Sequence, residues 1–554
     1  MTANTIPAIL DQAINLHRAG RLAEAQAIYL KILTEAPQHF DARHLLGVTF
    51  LQLNDAAAAA ENITAAIAIR EDPGALTNLA LAQATLGERE AALATLDRAL
   101  VLRPDNPEAL NNRGNLLQEL KRPTEALDSF DRALRLRPDY ADALNNRGTT
   151  LRHLKRHTEA LESTDRSLRV RPGDPQTLQN RALTLKELGR LDEAMRDLDQ
   201  ILAHRPDFAP AWSDRGTVQE ALGRPAAAVA DHDAAIARDP NYAPAHWNRS
   251  VVLLRSGDFA AGWQAYEWRF KQAWADQFRP FAQPQWRGED IGGKTILLHA
   301  EQGFGDAIQF VRFAKLVAAR GARVLLEVRR PLIPLMRALA GVDTLLEHGQ
   351  PLPPFDVQCS LMSLPLALGT RLDTIPADVP YLRSDPERSA AWAARLGPRT
   401  KPRVGIVWSG SAGHNSDMRR SLALEKFLAA MPPGVEIHTL QKDVRPADAA
   451  TLAAHPEIFD HTAAQTSFGE AAALIDHLDL VISVDTSLAH LAGAMGKQTL
   501  ILLAYVADWR WLDGRNDSPW YPTMRLFRQP AWGDWTTVLA RVRGEIQRDL
   551  LSAD

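Results

Sequence analysis

Two short runs in this 554-residue chain set chemically able side chains at turns. The first is Glu301-Gln302-Gly303-Phe304-Gly305-Asp306, between the apolar run Thr295 to His299 and a helical stretch ending at Arg320. Gly303 and Gly305 allow close backbone approach. Asp306 offers a carboxylate that either accepts a proton from a hydroxyl or caps a helix expected to start at Ala307. The second run, Asp485-Thr486-Ser487-Leu488-Ala489-His490, follows the apolar segment Leu480 to Val484. Asp485, Thr486 and Ser487 can cap the helix they open and surround a phosphate with hydroxyls and backbone N–H groups. His490 lies one turn further in and faces the same place; the plainer alternative is a capped core helix with a buried histidine.

The elements around these runs read as α/β. The order strand, Gly-containing loop, helice, strand from Lys294 to Val328 is a parallel crossover unit. A second series starts at Arg403, with strands predicted at Val404 to Trp408, Glu436 to Leu440, Leu480 to Val484 and Thr499 to Leu503. Two doubly wound lobes, 294–400 and 401–554, are expected, with ligands beyond the carboxyl ends of the strands and a cleft between the lobes. Late in the chain, Trp509, Arg510, Trp511, Trp520 and Tyr521 form an aromatic–basic cluster. It suits stacking on a sugar or a base, and equally a knot pinning the C-terminal segment to the first lobe.

The first half repeats itself. Pro104, Pro138, Pro172, Pro206 and Pro240 recur every 34 residues, and Gly87, Lys121, Lys155, Gly189, Gly223 and Gly257 keep the same register at turns. Small residues at Gly114, Gly148, Ala182, Gly216 and Ser250 let paired helices approach, and each proline ends a second helix. Extrapolated back to Gly20 and Asn54, the period gives about eight tetratricopeptide repeats over 1–274. The predicted fold is thus an α-solenoid followed by an α/β pair of lobes, joined by an ordered strap at 275–293. Trp263, Tyr266 and Trp268 at the end of the array are expected to pack on the next domain.

His44, Asn78, Asn112, Asn146, Asn180, Asp214 and Asn248 lie one repeat apart in the first helices. Amides on a concave face can hold a peptide backbone without reading its sequence, or can bond between neighbouring repeats. The row resembles the asparagine ladder of O-linked N-acetylglucosamine transferases, which implies a protein or peptide acceptor. Arg113, Arg147, Arg181, Arg215 and Arg249 follow directly, and read either as an acidic preference in the groove or as a solvated face.

Taken together, the Gly-Asp loop and the D-[TS]-x-x-x-H run resemble family-nine glycosyltransferases, the heptosyltransferase group, from Lys294 onward. The match is closer to a bacterial group that sets such a module behind tetratricopeptide repeats, carried by Glu301 to Phe310, Arg419-Arg420-Ser421, Val484-Asp485-Thr486, Asp508-Trp509-Arg510-Trp511 and Ser518-Pro519-Trp520-Tyr521-Pro522. Members associated with flagellin modification imply a flagellin-like acceptor. The resemblance implies a GT-B fold and inverting transfer from a nucleotide-sugar, with Asp306 as general base and Gly303, Gly305, Asp485, Thr486, Ser487 and His490 at the donor. Ser487 stands where the family usually has glycine. The family's phosphate-binding lysine has no counterpart; Arg420 is the expected substitute and Arg419 its competitor. The α/β half has no convincing Asp-x-Asp motif, so neither metal nor cofactor is expected, and the pairs at 197–199 and 231–233 belong to repeats.

A net charge of -4 offers no broad basic field for nucleic acid. One cysteine, Cys359, fits a reducing compartment. No basic and apolar leader and no run of ~18 apolar residues is evident, so a cytoplasmic protein without a membrane span is expected. Two other functions suit the same residues: a repeat scaffold with a transferase-like lobe that has lost turnover, and a glycan-directed transferase recruited by its repeats.

Overall fold

A computed structural model describes residues 6–275, 278–411, 413 and 417–551. It divides into two compact units, the chain passing from one to the other between Asp207 and Phe208. In the first, twelve helices from Ile6 to His204 form six antiparallel hairpins. The turn positions share one backbone state: Gly20, Asn54, Gly87, Lys121, Lys155 and Gly189 all have φ between 59° and 83°. Left-handed backbone at the end of a first helix is what glycine supplies without strain, which explains its recurrence there. The small residues answer to contact. A Cβ on Gly114 would lie 2.5 Å from the Phe130 ring, and one on Gly148 would lie 2.7 Å from Thr164 Cγ2.

The arginine row is a set of ties, which corrects both expectations for it. Arg113 and Arg147 bond Asp97 and Asp131, and Arg181 bonds both Asp165 and Asp197, each sixteen residues away. In the second unit Arg215 holds Asp231 and Arg249 holds Asp233 at the same separation. Three members of the Asp-x-Asp pairs of the repeats, Asp197, Asp231 and Asp233, thus meet this row.

The second unit opens with the hairpins Ala209–Ala221 with Pro225–Arg238 and Ala243–Arg255 with Phe259–Tyr266. Trp263 packs edge-on against Trp509 at 5.2 Å and donates from Nε1 to the Thr370 carbonyl at 3.2 Å, while Tyr266 lies 5.9 Å from Trp509. Burying such aromatics stabilises the junction by about 1.5–3 kcal/mol each. Trp268 departs from expectation, because its ring stacks on His246 of the helix Ala243–Arg255 at 3.6 Å. The strap then runs beside the first sheet, where Trp286 N donates to the Gln358 carbonyl at 2.7 Å.

Two parallel sheets follow. Strands β1 (Thr295–His299), β2 (Arg323–Val328), β3 (Thr344–Glu347) and β4 (Val357–Ser360) form the first, in the order β3-β2-β1-β4. Strands β5 (Arg403–Val407), β6 (Glu436–Thr439), β7 (Ile458–Phe459), β8 (Leu480–Val484), β9 (Thr499–Leu503) and β10 (Met524–Arg528) form the second, in the order β10-β9-β8-β5-β6-β7. Both lobes are α/β and GT-B-like. The strand order reverses between β1 and β4 in one sheet and between β5 and β8 in the other. Loops leaving the carboxyl ends at such reversals splay apart and leave a crevice. Among the described residues no helix is long and apolar enough to cross a membrane.

Candidate functional site

The loop after β1 leads into the helix Phe304–Phe310, which starts three residues earlier than the sequence suggests. Asp306 therefore does not precede the helix but sits in its first turn, and its Oδ2 accepts from the Gly303 N–H at 2.8 Å. Its Oδ1 accepts from Arg510 Nη2, a group 204 residues further on. Burial pushes the Asp306 carboxyl above the usual carboxylate range, while Arg510 pulls the other way. Arg510 also donates from Nη1 to Asp508 Oδ1 at 2.7 Å, so one buried guanidinium joins two carboxylates. Ion pairs of this kind hold geometry more than they add stability.

Gly305 places the same loop against the second lobe. A Cβ there would come within 2.9 Å of His490 Cδ2 and 3.5 Å of Ser487 Cα, so the helix Ser487–Ala494 packs on bare backbone. Thr486 is the N-cap residue, but it makes no side-chain cap; its Oγ1 lies 3.1 Å from Ser483 Oγ. The expected hydroxyl cap is therefore absent, and the first-turn N–H groups keep their partial positive charge for an anion.

His490 is buried, with Nδ1 2.9 Å from the Tyr521 hydroxyl, its ring stacked on Trp511 and Nε2 4.0 Å from Asp485 Oδ1. Burial, then Arg510, depress its pKa to about 3, so the ring is neutral at physiological pH. It serves as a hydrogen-bonding wall and not as a cation. Burial and the neighbouring Asp508 raise Asp485 to about 6.

Arg420 reaches toward the Asp485 turn. Nη1 donates to the Asp485 carbonyl at 2.8 Å, and a Cβ on Gly410 would be 2.6 Å from Nη2. The guanidinium thus lies flat on the loop after β5, across the strand reversal from Asp485. Arg419 turns elsewhere, 5.0 Å over the Trp532 ring. Residues 412 and 414–416 of this loop are outside the described part.

Trp509, Arg510, Trp511, Trp520 and Tyr521 are all buried. Trp520 packs on Phe259 and Phe310, and its carbonyl accepts from Arg312 Nη1 at 2.6 Å. The cluster is a knot between lobes, which removes sugar stacking on its faces from the two readings. Arg510, Asp508 and Tyr521 nonetheless hold the site residues, and sequence reasoning did not place them there; the Asp508-Trp509-Arg510-Trp511 and Ser518-Pro519-Trp520-Tyr521-Pro522 runs were their signal.

In the repeats, Asn78 Nδ2 lies 3.0 Å from His44 Nε2, Asn146 Nδ2 donates to Asn111 Oδ1 at 3.1 Å, and Asn180 Nδ2 donates to Asn145 Oδ1 at 2.8 Å. In the second unit Asn248 Nδ2 reaches Ser213 Oγ at 3.4 Å. These amides do bond between neighbouring repeats, through one N–H each. Asn112 and Asp214 occupy the same register half-buried.

Comparison with known proteins agrees with both halves. A tetratricopeptide repeat model matches residues 10–75, 77–141, 113–175, 180–243 and 214–267. The model of glycosyltransferase family 9 (heptosyltransferase) matches residues 441–518, which include Asp485, His490 and Arg510 but neither Asp306 nor Arg420. Protein FlbA of Caulobacter vibrioides is 30% identical over 325 residues, 53% of this chain and 53% of FlbA. The chain thus spans about half the length of that curated relative. A tetratricopeptide repeat protein from Parabacteroides merdae is 22% identical over 42% of this chain and 93% of its own, with a TM-score of 0.39. YrrB, a TPR protein with an unusual peptide-binding site, is 28% identical over 34% of this chain and 96% of its own, with a TM-score of 0.29. The chain carries tetratricopeptide repeats and, behind them, a segment at residues 441–518 that matches glycosyltransferase family 9, the heptosyltransferase family.

Proposed function

We propose that this chain is an inverting, metal-independent glycosyltransferase of the bacterial cytoplasm, moving a sugar from a nucleotide-sugar to a protein acceptor, flagellin-like in kind, held by its repeats. The observation that carries the reading is the convergence of Asp306 with the Asp485–His490 run, through the Asp306–Arg510 pair and the contact of Gly305 with His490. A lone carboxylate or a lone helix terminus would be structural. Together they supply a base and an anion site on opposite sides of one crevice.

In the reaction, the acceptor oxygen attacks the anomeric carbon and its proton passes to Asp306. The bond from that carbon to the diphosphate oxygen breaks, and the electron pair leaves with the nucleotide. Burial raises the Asp306 pKa toward a range where it takes that proton more readily, and Arg510 fixes its direction. Arg420 and the uncapped first turn of Ser487–Ala494 receive the charge developing on the diphosphate. A guanidinium and a helix terminus do this without requiring a metal. The repeat row adds the acceptor: each amide has a second N–H and a carbonyl oxygen beyond the bond it makes to its neighbour.

Purified chain is incubated with a panel of sugar nucleotides, with and without EDTA. Nucleotide release that persists in EDTA, with sugar of inverted anomeric configuration on a protein, supports the reading. Retained configuration, loss in EDTA, or transfer only to free glycan overturns the corresponding part. No release from any donor leaves a binding scaffold in its place.

A further inference from the structure

A cavity of about 640 Å³ lies beside the loop that leaves β1, without taking in Asp306, Asp485 or His490. Its walls come from three sources: the carboxyl ends of β1, β2 and β4, the strap, and the continuation of the last repeat at Trp268 and Lys271. At its base is Glu301, whose side chain is only 2% exposed. Its Oε1 accepts from Arg269 Nε at 2.7 Å. Its Oε2 is buried with no hydrogen-bond partner among the described residues. A carboxylate oxygen in that state costs free energy unless a donor arrives.

The charge around Glu301 narrows the donor. Arg269 is wholly buried and shared with Glu267 Oε1 at 2.6 Å and Ser363 Oγ at 2.6 Å. Glu301 is thus already paired with a cation, and a neutral hydroxyl or amide N–H completes it. Of the other two acids of the wall, Glu267 is held by Arg269, Ser363 and Gln285, and Glu327 is taken by Arg279. The exposed charges left at the cavity are Lys271, Arg287 and Arg329, all basic.

We infer that this cavity binds an acidic, hydroxyl-bearing polypeptide segment, with Glu301 Oε2 accepting from a serine or threonine hydroxyl and Arg287 and Arg329 meeting flanking carboxylates. It rests on the glycosyltransferase reading only for its purpose, which is to seat the acceptor beside Asp306. A polypeptide fits better than a glycan because aromatic faces that would stack on a sugar are already covered. Trp268 stacks on His246 and carries Lys271 over its ring, and Phe270 and Phe281 carry Arg269 and Arg279.

The test uses the full chain and a fluorescein-labelled short peptide alternating Ser or Thr with Asp or Glu. Controls replace Ser and Thr by Ala, or the acids by Lys, and an acidic oligosaccharide competes. The expected result is binding at least about tenfold tighter for the parent peptide than for either control. An Arg287→Glu/Arg329→Glu variant loses at least about tenfold in peptide affinity with nucleotide-sugar affinity unchanged, and more so at low salt. Glu301→Gln, checked for folding by its melting curve, narrows the Ser-against-Ala difference. Equal affinity for the Ser and Ala peptides, wild-type binding by the charge-reversed chain, or displacement by the oligosaccharide overturns the inference. Donor hydrolysis is measured in parallel. Hydrolysis without peptide binding sinks this inference alone, whereas peptide binding without hydrolysis sustains it and sinks the transferase reading.

Discussion

Arg510 Nη2 donates to Asp306 Oδ1 from the other lobe, and the same guanidinium holds Asp508. The carboxylate that would receive the acceptor's proton is thus held in place by the lobe that would hold the donor. Asp306→Asn keeps an acceptor for the Gly303 N–H but removes the charge facing Arg510. Transfer should fall at least a hundredfold, roughly the lower end of general-base contributions, with donor affinity near wild type. Stability should drop by about 1–3 kcal/mol, because a charged hydrogen bond is lost. Steady-state transfer and a urea titration check both. Near wild-type transfer would assign the base elsewhere.

Arg510 separates a positioning role from a chemical one. Arg510→Gln leaves Asp306 and Asp508 facing each other's charge in a buried site, at a cost of about 3–5 kcal/mol. The loss should be greatest at neutral pH and shrink on acidification, as the two carboxylates take up protons. A melting temperature equally lowered at pH 5 and pH 7 would show that packing, not charge, is what Arg510 supplies.

Asp485 and His490 make opposite contributions to pH dependence. His490 is held neutral down to about 3 in the fold but protonates near 6.5 when unfolded, so stability is lost as pH falls from about 6.5 toward 3. Asp485, raised to about 6, holds a proton in the fold that the unfolded chain releases near 4. Stability therefore rises as pH falls from about 6 to about 4. Each slope is at most about 1.4 kcal/mol per pH unit. Relative to wild type, His490→Gln should gain stability on going from pH 6 to pH 4, and Asp485→Asn should lose it. Denaturant titrations at three pH values decide this; parallel curves for all three proteins would remove the assignment.

The site's two runs were legible because each is local: a strand end followed by polar residues, with glycines between them in the first run only. What joins them was not. Arg510 meets Asp306 across 204 residues, and Tyr521 meets His490 from a different turn, so no periodicity links them. The repeats were read easily because every contact recurs, yet the arginine row was misjudged. Its partners sit sixteen residues away on second helices, an offset that repeats as faithfully as the prolines do. Among the strands, β3, β4, β7 and β10 escaped notice; all four are sheet edges, and β3 and β7 are short with partly exposed side chains, lacking the apolar run that marks a buried parallel strand.

The turns between repeat helices allow the sharpest test of how this sequence chooses its fold. Lys121 and Lys155 hold φ of 59° and 61° where five other repeats use glycine. A residue with a Cβ pays about 1–2 kcal/mol for left-handed backbone. Part of that gain is returned through the extra freedom glycine gives the unfolded chain, so Lys121→Gly should stabilise by roughly 0.5–1 kcal/mol. The packing glycines should respond in the reverse sense. Gly114→Ala would place its methyl 2.5 Å from the Phe130 ring, inside a seam with no room to give, and should cost about 1–3 kcal/mol. One residue type thus serves two needs, conformation at the turns and space at the seam. Lys121→Gly destabilising the chain, or Gly114→Ala leaving the denaturation midpoint unmoved, would break that division.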